Sequence, residues 1–145
     1  MSGNVFIDSN IFIYIYSKTD PTKSELCKNY VIENDCYTST QALNELSNVC
    51  IKKWNIDRQA IENAIDEIFS ACKVCSIYEE TIKKALCLHE KYRYSYYDSL
   101  MLASAIENGC EKIFTEDMQN GQLIENTLMI VNIFKRDTMK KQAHI

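Results

Sequence analysis

The run Asn4-Val5-Phe6-Ile7-Asp8-Ser9-Asn10, followed by Ile11-Phe12-Ile13, constrains the fold more than any other stretch of the chain. A short, unbroken apolar run reads as a strand buried on both faces, the kind found in parallel sheets covered by helices. It delivers a carboxylate and an amide to the point where the strand ends, and in open parallel α/β sheets ligands bind beyond that edge. Any site built there draws its other acids from segments that return to the same edge.

Several segments are expected to alternate in that way. Residues 11–16 read as a short helix, and Asp20-Pro21-Thr22 opens another that reaches about Asn34. Cys36-Tyr37-Thr38 is a strand ending in the hydroxyl cluster Thr38-Ser39-Thr40, which can cap the next helix, with Leu43, Leu46, Val49 and Cys50 at helical spacing. A further helix carries Ile61, Ile65, Ile68 and Phe69 after a cap at Asn55 or Asp57. Lys73 to Ile77 reads as a second short central strand, and Glu79 to Lys91 as a helix with Ile82, Ala85, Leu86 and Leu88 inward. Ser95 opens a helix to Ile106 that is apolar around most of its circumference, ended by Asn108-Gly109. Lys112 to Thr115 is a strand that again stops at acids, Glu116 and Asp117; residues 118–121 are a polar loop and Leu128 to Phe134 a last strand. The expected fold class is α/β, a central, mostly parallel sheet between helical layers.

With 145 residues the chain has the length of one domain, expected over 1–134, with 135–145 a basic, frayed C-terminal tail. A hydrophobic share of 46% against 25% charged residues is enough for a core and excludes an intrinsically disordered chain. Asp8 interrupts the only N-terminal apolar run, and no stretch of about 18 apolar residues occurs, so no membrane span is expected and the expected location is cytoplasmic. The seven cysteines are scattered through apolar patterns, which fits buried thiols in a reducing compartment; Cys72-Lys73-Val74-Cys75 lacks a second ligand pair to complete a zinc site. A net charge of −4 argues against a broad basic footprint, yet acids gathered to hold cations would give the same balance.

Two strands end in carboxylates, Asp8 and the Glu116-Asp117 pair, and parallel neighbours would bring them to one edge. Glu45 lies beside the Leu43, Leu46 and Val49 stripe of its helix, a position that suits either a boundary glutamate in water or a third acid of the site. Asp98 follows Ser95 by three residues, as in a capping box, but also sits among Met101, Leu102 and Ala105 on a face that reads as buried. Converging acids repel and raise one another's pKa, and Mg²⁺ or Mn²⁺ resolves the conflict while leaving positions for water and phosphate oxygens. Neither histidine, His89 or His144, stands in a recognisable catalytic setting.

These pieces resemble the PIN-domain ribonucleases, in particular the small bacterial toxins of VapC type. The matching residues are Phe6-Ile7-Asp8-Ser9-Asn10-Ile11-Phe12-Ile13-Tyr14, the isolated Glu45, Ser95-Tyr96-Tyr97-Asp98-Ser99 with Ala103 and Ala105, and Phe114-Thr115-Glu116-Asp117-Met118-Gln119. Their order and spacing cover the chain to about Phe134; Ser104 departs from the small apolar residue frequent there. The resemblance implies a PIN-like α/β/α sandwich and metal-dependent endonucleolytic cleavage of RNA, with tRNA or rRNA as targets of many toxin members. Carried over, Asp8, Glu45, Asp98 and Asp117 are the catalytic and Mg²⁺- or Mn²⁺-binding acids, with Asn10 and Thr115 in support and Glu116 able to share the role of Asp117. It further implies a homodimer and a cognate antitoxin protein. No substrate-binding residue is assigned: Lys52-Lys53, Arg58, Lys83-Lys84 and Lys91-Tyr92-Arg93 suit either RNA contact or solvated helix faces, and Tyr92, Tyr94, Tyr96 and Tyr97 suit either base stacking or packing.

Two other classes are compatible with parts of the pattern. A non-catalytic PIN-like RNA- or protein-binding module has no need of four carboxylates together. A phospho-receiver domain also collects acids at strand ends, but it calls for a lysine at a later strand end that this chain lacks.

Overall fold

The computed structural model describes residues 3–135. Strand β1 (Val5–Ile7) is buried along its whole length and sits inside a six-stranded sheet of order β3-β2-β1-β4-β6-β5. On one side it pairs in parallel with β2 (Cys36–Ser39), which pairs with β3 (Cys72–Cys75). On the other side it pairs in parallel with β4 (Lys112–Phe114), followed by β6 (Leu128–Val131). The chain builds outward from β1 to β3, then crosses back to start again at β4, so the order reverses between β1 and β4. Such a reversal opens a crevice at the C-terminal ends of the two strands.

Helices cover this sheet in an α/β/α arrangement. Helix α1 (Ser9–Tyr16) follows β1 directly, and α2 (Pro21–Glu33) starts on the proline that Asp20 precedes, with the Asp20 carboxylate accepting from the Lys23 amide at 3.0 Å. Ser39 caps α3 (Thr40–Lys52), while Thr38 donates to the Ile7 carbonyl at 2.9 Å and ties the end of β2 to the end of β1. Asp57 caps α4 (Arg58–Ala71). The last two helices, α5 (Glu79–Tyr92) and α6 (Tyr96–Glu107), pack on each other, with Arg93 in the left-handed region between them. Helix α6 is buried from Ser99 to Ala105 because it also touches β2, β4 and β6.

Several sequence expectations change here. The strand around Lys73 lies at one edge of the sheet rather than in its centre, consistent with the exposed Lys73 within it. In α5 the inward residues are Thr81, Ala85 and Leu88, and Ile82 and Leu86 face solvent. The Thr81 hydroxyl donates to Glu107 at 2.7 Å and accepts from the Tyr78 amide, so helix start and α6 together turn the buried face by one residue. Phe69 is likewise exposed, with Ile61, Ala64 and Ile68 buried in α4. The last strand stops at Val131, where Asn132 accepts from the Phe134 amide and residues 133–135 turn helical. A two-residue strand β5 (Leu123–Ile124), unread in the sequence, pairs antiparallel with β6. The expected tail lies, beyond Lys135, outside the described residues. All seven cysteines are free and six are buried; Cys72 and Cys75, three residues apart on a strand, point to opposite faces and form no chelate.

Candidate functional site

Asp8 occupies the junction of β1 and α1, with its carboxylate turned back onto the helix start. Its Oδ1 accepts from the Ser9 amide at 2.7 Å, and its Oδ2 accepts from the Thr115 hydroxyl at 2.7 Å and from Asn10 Nδ2 at 3.4 Å. The side chain is only 2% exposed. Burial pushes its pKa from 3.8 up to about 7, against the pull of Thr115 and Ser9, and the neighbouring Asp98 and Glu45 push the same way.

The β4 end supplies the second part. Thr115 is fully buried, its amide donating to Val131 at 3.1 Å, and its hydroxyl accepts from the Asp117 amide at 3.2 Å while donating to Asp8. Asn10, in the first turn of α1, spans the crevice: Nδ2 reaches Asp117 Oδ2 at 3.0 Å and Thr115 at 3.2 Å, and Oδ1 accepts from the Glu116 amide at 3.3 Å. Asp8, Asn10, Thr115 and Asp117 therefore form one hydrogen-bonded unit across the switch point of the sheet.

Asp98 enters from the first turn of α6. The Ser95 side chain accepts from the Asp98 amide at 3.2 Å, so the capping geometry exists, and the carboxylate still reaches the cluster. One oxygen from each of Asp8, Asp98 and Asp117 lies within 4.8 Å of the others. Burial raises the Asp98 pKa, the Ser95 hydroxyl opposes this, and the Asp117 charge adds to it. Glu45 stands at the margin on α3. Burial raises its pKa, offset by Ser9, and Asp98 and Asp117 raise it further. Its Oε2 is buried with no hydrogen-bond partner among the described residues.

Glu116 is set apart from these acids. Its carboxylate accepts from the Tyr14 hydroxyl at 2.7 Å and from Lys23 Nζ at 3.4 Å, and Lys23 stands 4.8 Å from the ring centres of Tyr14 and Phe134. The two neighbours thus face different partners, as alternation at a strand end implies. Sequence reasoning missed two contributors. Ser9 lies between Asp8 and Glu45, a hydroxyl whose only signal is its place at a helix start; the Tyr14–Lys23 pair depends on a contact between α1 and α2. Tyr94, which the sequence leaves between stacking and packing, accepts from the Gln119 amide at 3.0 Å and anchors the loop after Asp117.

A hard divalent cation fits this donor set. The donors are oxygens alone, those of Asp8, Asp98 and Asp117 converge from three separate segments, and the unpartnered Glu45 oxygen, whose charge Asp98 and Asp117 disfavour, lacks the positive charge that burial demands. His89 is engaged elsewhere, its Nδ1 2.5 Å from the Tyr94 carbonyl. Of the basic residues singled out in the sequence, Arg58 pairs with Glu62 and Lys83 with Glu79 along their helices, and Lys91 pairs with Glu125, which lies between β5 and β6. No helix among the described residues is long and apolar enough to cross a membrane.

Comparison with known proteins agrees with the geometry. A family model described as PIN domain matches residues 5–119. No curated protein matches the chain in sequence. Among solved structures, a chain of a toxin–antitoxin complex from Klebsiella pneumoniae superposes with a TM-score of 0.66 at 18% identity, over 89% of this chain and 97% of that one. VapC20 of Mycobacterium tuberculosis, described as a sarcin-ricin loop cleaving toxin, gives 0.63 at 17% identity over 78% and 89%. VapBC2 of Rickettsia felis, bound to a DNA fragment from its promoter, gives 0.63 at 16% identity over 89% and 99%. At these identities the likeness is one of fold.

Proposed function

The chain belongs to the PIN-domain family, and from that premise we propose that it is a divalent-metal-dependent endoribonuclease, the toxin of a toxin–antitoxin pair. The observation that carries this reading is the meeting of Asp8, Asp98 and Asp117 within 4.8 Å, with the unpartnered oxygen of Glu45 at their margin. A binding module without chemistry would have no reason to hold repelling carboxylates together at the cost of their raised pKa values.

Asp8, Asp98, Asp117 and Glu45 would hold Mg²⁺ or Mn²⁺. When bound, the metal would supply Lewis acidity toward a phosphodiester and a water nucleophile. The chain's own work is positional. Thr115 and the Ser9 amide fix both oxygens of Asp8, and Asn10 fixes Asp117 relative to Asp8. Asp98 closes the site from α6. Among the described residues neither a histidine nor a cysteine joins the acids as a nucleophile or base, so direct attack by water is the chemistry that suits the site; 5′-phosphate and 3′-hydroxyl ends are what the family resemblance implies for the products.

The toxin reading draws support from the fold neighbours, which include toxin–antitoxin complexes and a toxin described as cleaving the sarcin-ricin loop. A protein antitoxin, a homodimeric state, a cytoplasmic location and a structured tRNA or rRNA target belong to the same proposal. The test is a cleavage assay over a panel of structured RNAs with Mg²⁺ or Mn²⁺, controlled by Asp8→Asn and Asp98→Asn. Metal-dependent cleavage that both substitutions abolish in folded protein is expected; full activity of both variants would overturn the assignment.

A further inference from the structure

Two of the buried cysteines face each other across the sheet. Cys36 opens β2 and Cys72 opens β3, and they are direct register partners on these parallel strands. Register partners project to the same face, and adjacent strands run about 4.8 Å apart. That spacing falls inside the range of about 4.4–6.8 Å between Cα atoms that a disulfide spans. The two thiols share a hydrogen bond, so the sulfurs already meet.

Their surroundings give the two sulfurs different characters. Cys36 Sγ lies 3.3 Å from the Val31 carbonyl and 3.5 Å from the Asn34 carbonyl, acceptors that hold its proton in place. The hydrogen bond with Cys72 and burial both raise the Cys36 pKa. The same bond lowers that of Cys72, against burial. Burial prevails at other enclosed thiols: Cys27 and Cys110 are pushed up to about 12, and Cys50 and Cys75 are also raised. Cys72 is therefore the sulfur favoured as a thiolate nucleophile, with a protonated partner beside it.

Access comes from the end of the sheet away from the acids. A cleft of about 360 Å³ lies there, and Asn4, Asp35, Cys36, Ala71 and Lys73 are among its lining residues. Cys36 is on its wall, and Ala71 and Lys73 flank Cys72 in the chain. A molecule as small as hydrogen peroxide fits the space.

We propose that Cys36 and Cys72 form a reversible redox site, oxidised by hydrogen peroxide to an intrachain disulfide that fastens the edge strand β3 to β2. The Cys72 thiolate attacks one peroxide oxygen, the O–O bond breaks, and hydroxide leaves to take up the proton that Cys72 released, giving a sulfenic acid. The Cys36 sulfur then attacks the Cys72 sulfur. The S–S bond forms, the S–O bond breaks, and the leaving hydroxide departs with the Cys36 proton as water. In sum the two thiols give up two electrons and two protons, and the peroxide becomes two waters. A dithiol reductant restores both thiols by exchange. The bond closes the segment 36–72, which contains α3 and α4, at the opposite end of the strands from Asp8 and Asp117. The inference is independent of the nuclease reading.

The test is peroxide treatment of the reduced, full-length protein. The intact mass is expected to fall by about 2 Da, and the thiols counted after denaturation to fall by two of the seven. The denaturation midpoint should move to higher denaturant, because closing the segment restricts the unfolded chain, and return on reduction with dithiothreitol. Cys36→Ser and Cys72→Ser should each abolish the mass loss, and Cys27→Ser should keep it. Peptide mapping of the oxidised parent, with cleavage at Glu45 to part Cys36 from Cys50, identifies the linked pair without any substitution. Recovery of a peptide joining Cys36 to Cys72 supports the proposal. Seven thiols retained under peroxide, a bond between other cysteines, or a midpoint that falls on oxidation would overturn it.

Discussion

Thr115 Oγ1 lies 2.7 Å from Asp8 Oδ2, and this contact joins residues 107 apart in sequence across the reversal of strand order between β1 and β4. The same hydroxyl accepts from Asn10 and from the Asp117 amide, so one small side chain sets the spacing of two carboxylates. Replacing Thr115 by Val keeps the volume and removes every one of these bonds. The expected result is a Mn²⁺ affinity about 10-fold weaker or more by calorimetry, with a stability loss of about 1–2 kcal/mol in denaturant titration. Thr115→Ser should retain most of both.

Asp8 also makes the metal-free protein sensitive to pH. Its folded pKa of about 7 exceeds the ordinary 3.8, so between these values the folded state holds a proton that the unfolded chain has released. Stability from this group is complete below about pH 4, falls as pH rises toward 7, and levels off above that. Asp8→Asn, an uncharged carboxyl mimic, removes the dependence. In chelator, the stability of Asp8→Asn relative to the parent should therefore grow between pH 4 and pH 8, by up to about 4 kcal/mol. Equal pH profiles for the two proteins would contradict the buried, raised carboxyl.

Glu45 illustrates a conflict between stability and binding. Its buried Oε2 has no partner among the described residues, and Asp98 and Asp117 disfavour its charge. Glu45→Gln removes the repulsion, and the metal-free protein should gain about 1 kcal/mol in chemical denaturation. The same change should weaken Mn²⁺ binding about 10-fold.

Neighbouring acids give the sharpest contrast. Asp117 accepts from Asn10 within the cluster, whereas Glu116 accepts from Tyr14 and Lys23 outside it. Asp117→Asn should lower RNA cleavage by about 100-fold or more, while Glu116→Gln should stay within a few-fold, as read in initial rates at saturating Mn²⁺. Equal losses would place Glu116 in the site.

The sequence exposes the features that follow from local chemistry. The Asp8 strand, the caps at Asp20, Ser39, Asp57 and Ser95, and the all-round apolar α6 are readable because each depends on residues within a turn or two. The buried face of α5 was not readable, since Thr81 turns inward to meet Glu107 on another helix. The two-residue β5 is too short to leave a pattern, and it exists through its pairing with β6. Among the site residues, Asp8 and Asp117 announce themselves at strand ends. The separate destination of Glu116 is settled by Tyr14 and Lys23, on α1 and α2, which no local pattern connects to it.

Calorimetric titration of the full-length protein with Mn²⁺, beside Asp8→Asn and Asp98→Asn variants of verified fold, tests the central claim most directly, because the claim is that these carboxylates converge to hold a cation. Saturable binding in the parent, lost or weakened at least 10-fold in both variants, is the predicted result. Absence of binding in the parent, or equal binding in all three proteins, would contradict it.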